Sequence, residues 1–383
     1  MQDIVQESLN FLKLLYLPLI NFKNKIVIHA TNVAGLGARE VSSAILNSLA
    51  SDNYFKNHQI QVRLPNVKFW HENAPKRGNW EIVYFYRSSL PLIRFLIRVF
   101  NLFFGHLFLP KSEIVLVLGD FPLRVNSKQV VLLHNPHIVP EYSNLKKFDK
   151  FIFQRLLFTI NHKFINSCIV QTDIIKNRLI NKLPHLAEKV IVLPMPVNDL
   201  FKYENLKIKS GTDEFKLFFP SSFYPHKNHA LIFKLNKNGN FDFLMNFTLT
   251  INESQFNSLG SVGSRKNVNI QLTGLLDKYQ VLEKYTQTDA LFFPSFDESY
   301  GLPLVEAMKL GKIIICSDKP FARWLCGDEA IYFDPNNYES AENAIRLARG
   351  KWNSGWKPDW ADSLSKIPAN WDAYFVEFKK YLK

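Results

Sequence analysis

The sequence predicts an α/β protein of two doubly wound, Rossmann-like domains, and three observations carry that expectation. β-rich apolar runs alternate with helix-like stretches along the whole chain, the pattern of parallel sheets covered by helices. The alternation lapses around Pro194, Pro196 and the polar stretch 202–214, then resumes, which marks a linker between two domains. With 383 residues, 47% of them hydrophobic and 21% charged, the chain is too long for one small module and too apolar for disorder, collagen or a coiled coil. The domains are placed at residues 1–198 and 199–369, with a terminal helix-like segment at 370–383.

The elements follow in order. Acidic Asp3 and Glu7 precede the apolar run 11–20, so a secretory signal, which needs a positive start and a cleavage site, is not expected; the run reads as an extra helix packed on the domain. Residues 25–30 read as the first strand, 32–37 as a loop and 39–50 as a helix. Strands at 114–118, 130–133 and 168–171 continue the first sheet. In the second domain strands are expected at 216–219, 243–251, 268–272, 290–293, 313–316 and 331–333, with helices between most of them. Two such domains leave a cleft at the carboxyl ends of their strands, where ligands bind in sheets of this kind. No internal sequence repeat is visible.

Charge and cysteine narrow the function classes. Residues 1–200 hold 24 Lys and Arg against 13 Asp and Glu, a net of +11, out of +13 for the chain. One basic half beside a near-neutral half points to a face held against a polyanionic surface, membrane or nucleic acid. Cys168, Cys316 and Cys326 form no Cys-x-x-Cys pair, so neither a disulfide framework nor a zinc knuckle is expected, and a reducing, cytoplasmic compartment is favoured.

Residues 92–109 contain 13 Leu, Ile, Val or Phe in 18 positions. Those residues contribute about −4 to −8 kcal/mol on the membrane-insertion scale, but Arg94 and Arg98 each oppose this by about +2.5 to +3.5 kcal/mol, so the segment does not read as a span. Arg87, Arg94 and Arg98 fall seven and four apart, along one stripe of a helix. Two readings stand: an in-plane basic amphipathic helix on a membrane surface, and a core helix with a solvated arginine edge.

Two stretches carry chemistry. In the first domain Gly35-x-Gly37 sits between a strand and a helix, where backbone amides and a positive helix end face a ligand. It is no dinucleotide fingerprint, because Glu40 occupies the third glycine position, and a plain tight turn reads equally well. In the second domain a strand delivers Glu298 to its carboxyl end, Gly301 permits a close turn, Pro303 suits the first position of a helix, and Glu306 falls in that helix's opening turn. Two carboxylates then flank the amides of Ser299, Tyr300, Gly301 and Leu302, a site for phosphate on the amides and sugar hydroxyls on the carboxylates. Either glutamate alone reads as a dipole complement or a solvated loop residue. Upstream, Pro225-His226-Lys227-Asn228 also lies between a strand and a helix, where Lys227 can neutralise a diphosphate.

The Glu-x7-Glu pair Glu298 and Glu306, with the Pro-His-Lys-Asn segment, resembles the retaining GT-B glycosyltransferases of family 4, which transfer sugar from a nucleotide donor. The resemblance covers the second domain almost wholly, including Thr273-Gly274 in the loop near the nucleotide base, and the first more loosely. It implies that Glu306 takes the ribose hydroxyls, and that Glu298 with the Ser299–Leu302 backbone takes the transferred sugar and adjacent phosphate. Lys227 would balance the departing diphosphate, and His134, after the strand 130–133, would contact the donor sugar; without the resemblance it reads as a loop imidazole. Many relatives carry an arginine six residues before the lysine, where this chain has Ser221, which brings a hydrogen bond and no charge. In GT-B enzymes the final helix returns to the first domain, the role expected of 370–383.

The resemblance thus implies a cytoplasmic, membrane-peripheral enzyme moving a hexosyl unit from a UDP- or GDP-sugar to a lipid-linked glycan, by front-face displacement with retention. The chain has no Asp-x-Asp pair, His226 and His229 read as loop residues, and no metal or cofactor is expected. A catalytically weak partner subunit is the first alternative, motivated by Ser221. A nucleic-acid-binding module is the second; it calls for aromatics interleaved with Lys and Arg on a strand face, whereas the basic residues here flank Leu and Phe.

Overall fold

The computed structural model describes residues 25–33, 35–85, 109, 111–140, 151–197, 214–260 and 267–383. The chain divides into two compact units, one of Met1–Leu193 with Phe375–Lys383 and one of Pro194–Tyr374, so the changeovers fall a few residues before and after those read from composition.

The first unit runs β1 (Lys25–His29), α1 (Leu36–Ser51), β2 (Gln59–Pro65), α2 (Lys68–Asn73), β3 (Trp80–Phe85), β4 (Ile114–Val117), β5 (Lys128–Leu132), α3 (Ile152–Asn161), β6 (Ser167–Val170), α4 (Asp173–Lys182) and β7 (Val190–Val192). The strands form one parallel sheet in the order β3-β2-β1-β4-β5-β6-β7. β1, β4, β5 and β6 are nearly continuous apolar runs because strands inside a parallel sheet are covered on both faces. β2 and β3 escape the sequence reading for a physical reason: Gln61 and Arg63 interrupt the apolar run of β2. Both are buried, Gln61 donating to Glu81 of β3 at 2.7 Å and Arg63 lying 4.8 Å from the Phe85 ring. α1 buries Val41, Ile45, Leu46 and Leu49 along one stripe. The chain's last segment belongs here: Lys379 Nζ lies 2.6 Å from Asp52, and Lys128 Nζ donates to Lys383 O at 2.8 Å.

The second unit repeats the plan. It runs β8 (Glu214–Phe219), α5 (His229–Asn238), β9 (Leu244–Leu249), α6 (Glu253–Asn257), β10 (Val268–Leu272), α7 (Lys278–Thr286), β11 (Ala290–Phe293), α8 (Leu302–Lys309), β12 (Ile313–Ser317), α9 (Pro320–Cys326), β13 (Ile331–Phe333), α10 (Tyr338–Asn353) and α11 (Ala361–Ser365), and opens the last helix, α12 (Trp371–Lys379). Its sheet is parallel in the order β10-β9-β8-β11-β12-β13. Both sheets therefore have the Rossmann order, reversing between β1 and β4 and between β8 and β11. The core of the second sheet is aromatic: Phe218 meets Tyr285 edge-on at 4.9 Å, and Phe292 stacks on Phe333 at 5.1 Å.

Candidate functional site

In the second unit, the loops leaving the two switch-point strands, β8 and β11, carry most of the ligand-binding residues expected from sequence. After β8 the chain turns through Pro225–Lys227, and Asn228 adopts φ 58°, ψ 39° before α5 begins. Asparagine tolerates this left-handed conformation, and its side chain is locked by donating to Pro335 O at 2.9 Å. Lys227 is thereby aimed at β11: its Nζ lies 2.5 Å from Glu298 Oε1 and 5.8 Å from the centre of the Phe293 ring. The two side chains are only 18% and 12% exposed, so little water screens the pair. The Phe296 amide donates to His226 O at 2.8 Å, tying the loops together at the backbone as well.

Gly301 ends the β11 loop at φ 108°, ψ 61°, and a Cβ there would stand 3.1 Å from Leu304 Cδ1. The positive φ calls for glycine, and any larger residue would also push Leu304 aside. Gly301 is the N-cap of α8 and no side chain caps it, which leaves amides at the helix start for a ligand. α8 starts at Leu302, so Pro303 holds its second position and not its first, and Glu306 is its fifth residue, beyond the opening turn expected for it. At that depth a carboxylate no longer complements the helix dipole. Instead Glu306 Oε2 lies 3.1 Å from the buried Tyr285 hydroxyl, whose single proton it shares with Pro303 O at the same distance. Burial, then the adjacent Glu306, hold the Tyr285 pKa well above its ordinary value, so this phenol stays a donor.

Other expected residues take more modest places. The Tyr300 ring is buried and its hydroxyl donates to Met195 O at 2.8 Å, so Tyr300 offers a ligand only its backbone. Ser221 is buried, with Oγ donating to Ser222 O at 3.3 Å. Gly274 has φ 69° beyond β10, where its amide donates to Ile251 O and its carbonyl accepts from Thr273 Oγ1. Ser299 and Leu302 are half-buried. His229 is not a loop residue: it opens α5, buried between the rings of Phe219 and Phe223 at 4.9 and 5.4 Å, where burial and then Lys227 lower its pKa to about 4.

In the first unit, Gly37 lies inside the first turn of α1 and not in a loop before it; Gly35 is the N-cap, and no side chain caps the helix. His134 follows β5. Its ring interacts with the Leu118 backbone, while Nε2 is buried with no partner among the described residues. Desolvation lowers its pKa to about 4, so the ring is neutral at pH 7.

Sequence reasoning misses the residue beneath His134. Asp120, just after β4, has φ 69° and accepts the amides of His134 and Asn135 at 2.5 and 3.0 Å. Burial raises its pKa to about 6 against those two bonds. The available signal was a Gly-Asp pair at a strand's carboxyl end. Tyr285 offered none, since it reads as an ordinary helix residue. Arg87, Arg94 and Arg98 lie outside the described residues, as do the leading apolar run and most of the linker. Among the described residues no helix is long and apolar enough to cross a membrane, and no three His, Cys, Asp or Glu side chains gather where a metal ion could bind.

Residues 204–350 match the family described as glycosyl transferases group 1. The chain is 24% identical over 319 residues to the O-antigen chain mannosyltransferase RfbU of Salmonella typhimurium, covering 80% of this chain and 81% of that protein. Among solved structures, sucrose-phosphate synthase from Thermosynechococcus elongatus superposes with a TM-score of 0.67 at 13% identity, over 94% of this chain and 98% of that one. The Anabaena protein HepE, solved in complex with UDP and glucose, gives 0.63 at 15% identity, over 94% and 99%. The family match, this relative and the two parallel Rossmann-like sheets together support a glycosyltransferase of the GT-B fold.

Proposed function

We propose that this chain is a retaining, metal-independent glycosyltransferase that moves a hexosyl unit from a UDP- or GDP-sugar to a lipid-linked glycan, in the assembly of a surface polysaccharide or glycolipid, as a peripheral enzyme on the cytoplasmic face of a membrane. The observation that carries the reading is the Lys227–Glu298 pair at 2.5 Å, at the switch point of the second sheet and beside an uncapped helix start. A desolvated cation held on a carboxylate is poised to meet a diphosphate without reorganising.

In the reaction, the bond between the anomeric carbon and the diphosphate oxygen breaks, its electron pair leaving with the diphosphate. The acceptor hydroxyl oxygen bonds to the same face of that carbon and gives its proton to the departing phosphate. Lys227 and the loop amides bear the charge that grows on the leaving group, Glu306 holds the ribose hydroxyls, and the Gly274 loop lies at the base. The neutral His134 ring contacts the donor sugar, and Gly37 offers its helix-start amide. A mannosyl unit is the hexosyl unit to which the named relative points.

The test is a thermal-shift panel of UDP- and GDP-sugars, since a bound ligand stabilises by RT ln(1 + [L]/Kd), followed by transfer to a lipid-linked acceptor with the product's anomeric configuration read by NMR. One donor should shift the midpoint clearly, the product should retain configuration, and EDTA should leave the rate unchanged. An inverted product, or no shift with any donor, overturns the reading. A catalytically weak partner subunit is the second reading, favoured by Ser221, whose buried hydroxyl brings no charge; donor binding without turnover on any acceptor would select it.

A further inference from the structure

α3 exposes a line of large aliphatic side chains. Ile152, Leu156 and Ile160 are 53%, 49% and 42% exposed, and their spacing of four places them one turn apart on one stripe, while Arg155 and Phe158 are buried. Single exposed aliphatics are ordinary on a protein surface. Three on successive turns of a ten-residue helix make a continuous apolar ridge.

The ridge runs into a cluster of two histidines and two lysines. His162 caps the C-terminus of α3, its ring 4.3 Å from that of exposed His185. Lys163 is exposed beside it, and Lys189 Nζ donates to Ile165 O at 2.8 Å. Burial first, then His185, Lys163 and Lys189, lower the His162 pKa, so its ring is neutral at pH 7 and the charge at this spot is carried by Lys163 and Lys189. Between residues 151 and 189 there are six Lys and Arg against two acids, Asp173 and Glu188. Complementing a helix C-terminus takes about half a charge, so Lys163 and Lys189 together exceed that need.

We infer that this face, the aliphatic ridge of α3 with the His162, Lys163, His185 and Lys189 cluster at its end, is where the protein lies on an anionic phospholipid surface. Aliphatic side chains enter the boundary of the acyl region while the cations beside them meet headgroup phosphates. The cations decide the occupant, since a ridge meant for a neutral apolar partner has no use for them. The inference rests on the membrane-peripheral part of the proposed function and assigns it to α3 and the residues at its end.

The full chain, Leu156→Glu/Ile160→Glu and Lys163→Glu/His185→Glu are compared by co-sedimentation with vesicles of phosphatidylglycerol and phosphatidylethanolamine, and with phosphatidylcholine alone, at low salt. Wild type should bind the anionic vesicles and ignore the neutral ones. Each double variant should bind at least tenfold more weakly, with unchanged unfolding midpoint and unchanged donor hydrolysis in solution. If wild type binds and both variants bind equally well, the face is wrong and the membrane reading stands; if wild type ignores anionic vesicles, both fall. A lowered midpoint in Leu156→Glu/Ile160→Glu shows the ridge covered by the protein's own chain, and a wild-type dimer that dissociates in the variants shows it covered by a second copy. Either result overturns the inference.

Discussion

Lys227 and Glu298 form an ion pair at 2.5 Å that joins the loop after β8 to the loop after β11, with neither side chain more than about a fifth exposed. Removing one partner strands a largely desolvated charge, whereas removing both does not. Lys227→Gln and Glu298→Gln are therefore each expected to lose about 1–3 kcal/mol of stability, and the double variant to regain most of it. Turnover should stay low in the double variant, because its loss follows the lysine. Denaturant unfolding and kcat on the four proteins test this. A double variant as unstable as the sum of the singles would dissolve the coupling.

The Tyr285 hydroxyl lies 3.1 Å from Glu306 Oε2 and also reaches Pro303 O. Tyr285→Phe should weaken nucleoside diphosphate binding about three- to tenfold by freeing that carboxylate, while Glu306→Ala loses the charge-assisted bonds themselves, about 1.5–3 kcal/mol. Calorimetric titration with UDP and GDP reads both. Equal affinity in Glu306→Ala and wild type would remove the ribose role.

What the sequence discloses follows from how far each contact reaches along the chain. The strands of the second sheet are legible because runs such as 290–293 and 313–316 are apolar without interruption. The Glu298–Glu306 motif is legible because turn, cap and carboxylates lie within a dozen residues. β2 is not, because Arg63 is made tolerable in a sheet by Phe85, 22 positions away. For the same reason Tyr285 and Asp120 stay hidden: each acts on a residue 21 or 14 positions on, through burial that no local pattern encodes. Glu306 falls one residue deeper in its helix than expected, since Pro303 fits the second helical position as well as the first.

Asp120 sets a pH dependence. Its folded pKa, about 6, is raised above the ordinary 3.8, so the stability it contributes is fully present below about 4 and is lost as pH rises through about 6. Near pH 8 the wild type then carries a penalty of at most about 3 kcal/mol. Asp120→Asn keeps an acceptor for the His134 and Asn135 amides and tolerates φ 69°, so it should be more stable than wild type near pH 8, with the gap closing toward about pH 4. Urea unfolding across that range decides; a gap that is constant with pH would place the proton elsewhere.

His134 behaves with the opposite sign. Its folded pKa is lowered to about 4, so the stability it contributes is present above the ordinary 6.5 and is lost as pH falls through about 4. Its ring stays neutral through the whole range around pH 6.5. An NMR titration should show no ring protonation near that value; an inflection there would mean that the ring is solvated and its burial is not the controlling effect.

Two glycines make the last comparison, because they face opposite conditions. Gly301 has φ 108°, and a Cβ would press within 3.1 Å of Leu304 Cδ1; Gly350 lies inside α10 with nothing within 4 Å of the same added atom. Alanine at 301 must either strain the backbone or shift the start of α8, a loss of about 1–3 kcal/mol. At 350 it removes only unfolded-state freedom and should gain about 0.4–1 kcal/mol. The site is affected just as unequally. The amides around Gly301 are those proposed to receive the donor phosphate, so Gly301→Ala should lower nucleotide-sugar affinity beyond its effect on stability, and Gly350→Ala should leave affinity unchanged. Thermal unfolding with and without donor separates the two effects, since ligand stabilisation is read as the difference between the scans. If Gly301→Ala keeps the full donor-induced shift, the loop amides do not hold the phosphate, and the charge of the leaving group rests on Lys227 alone.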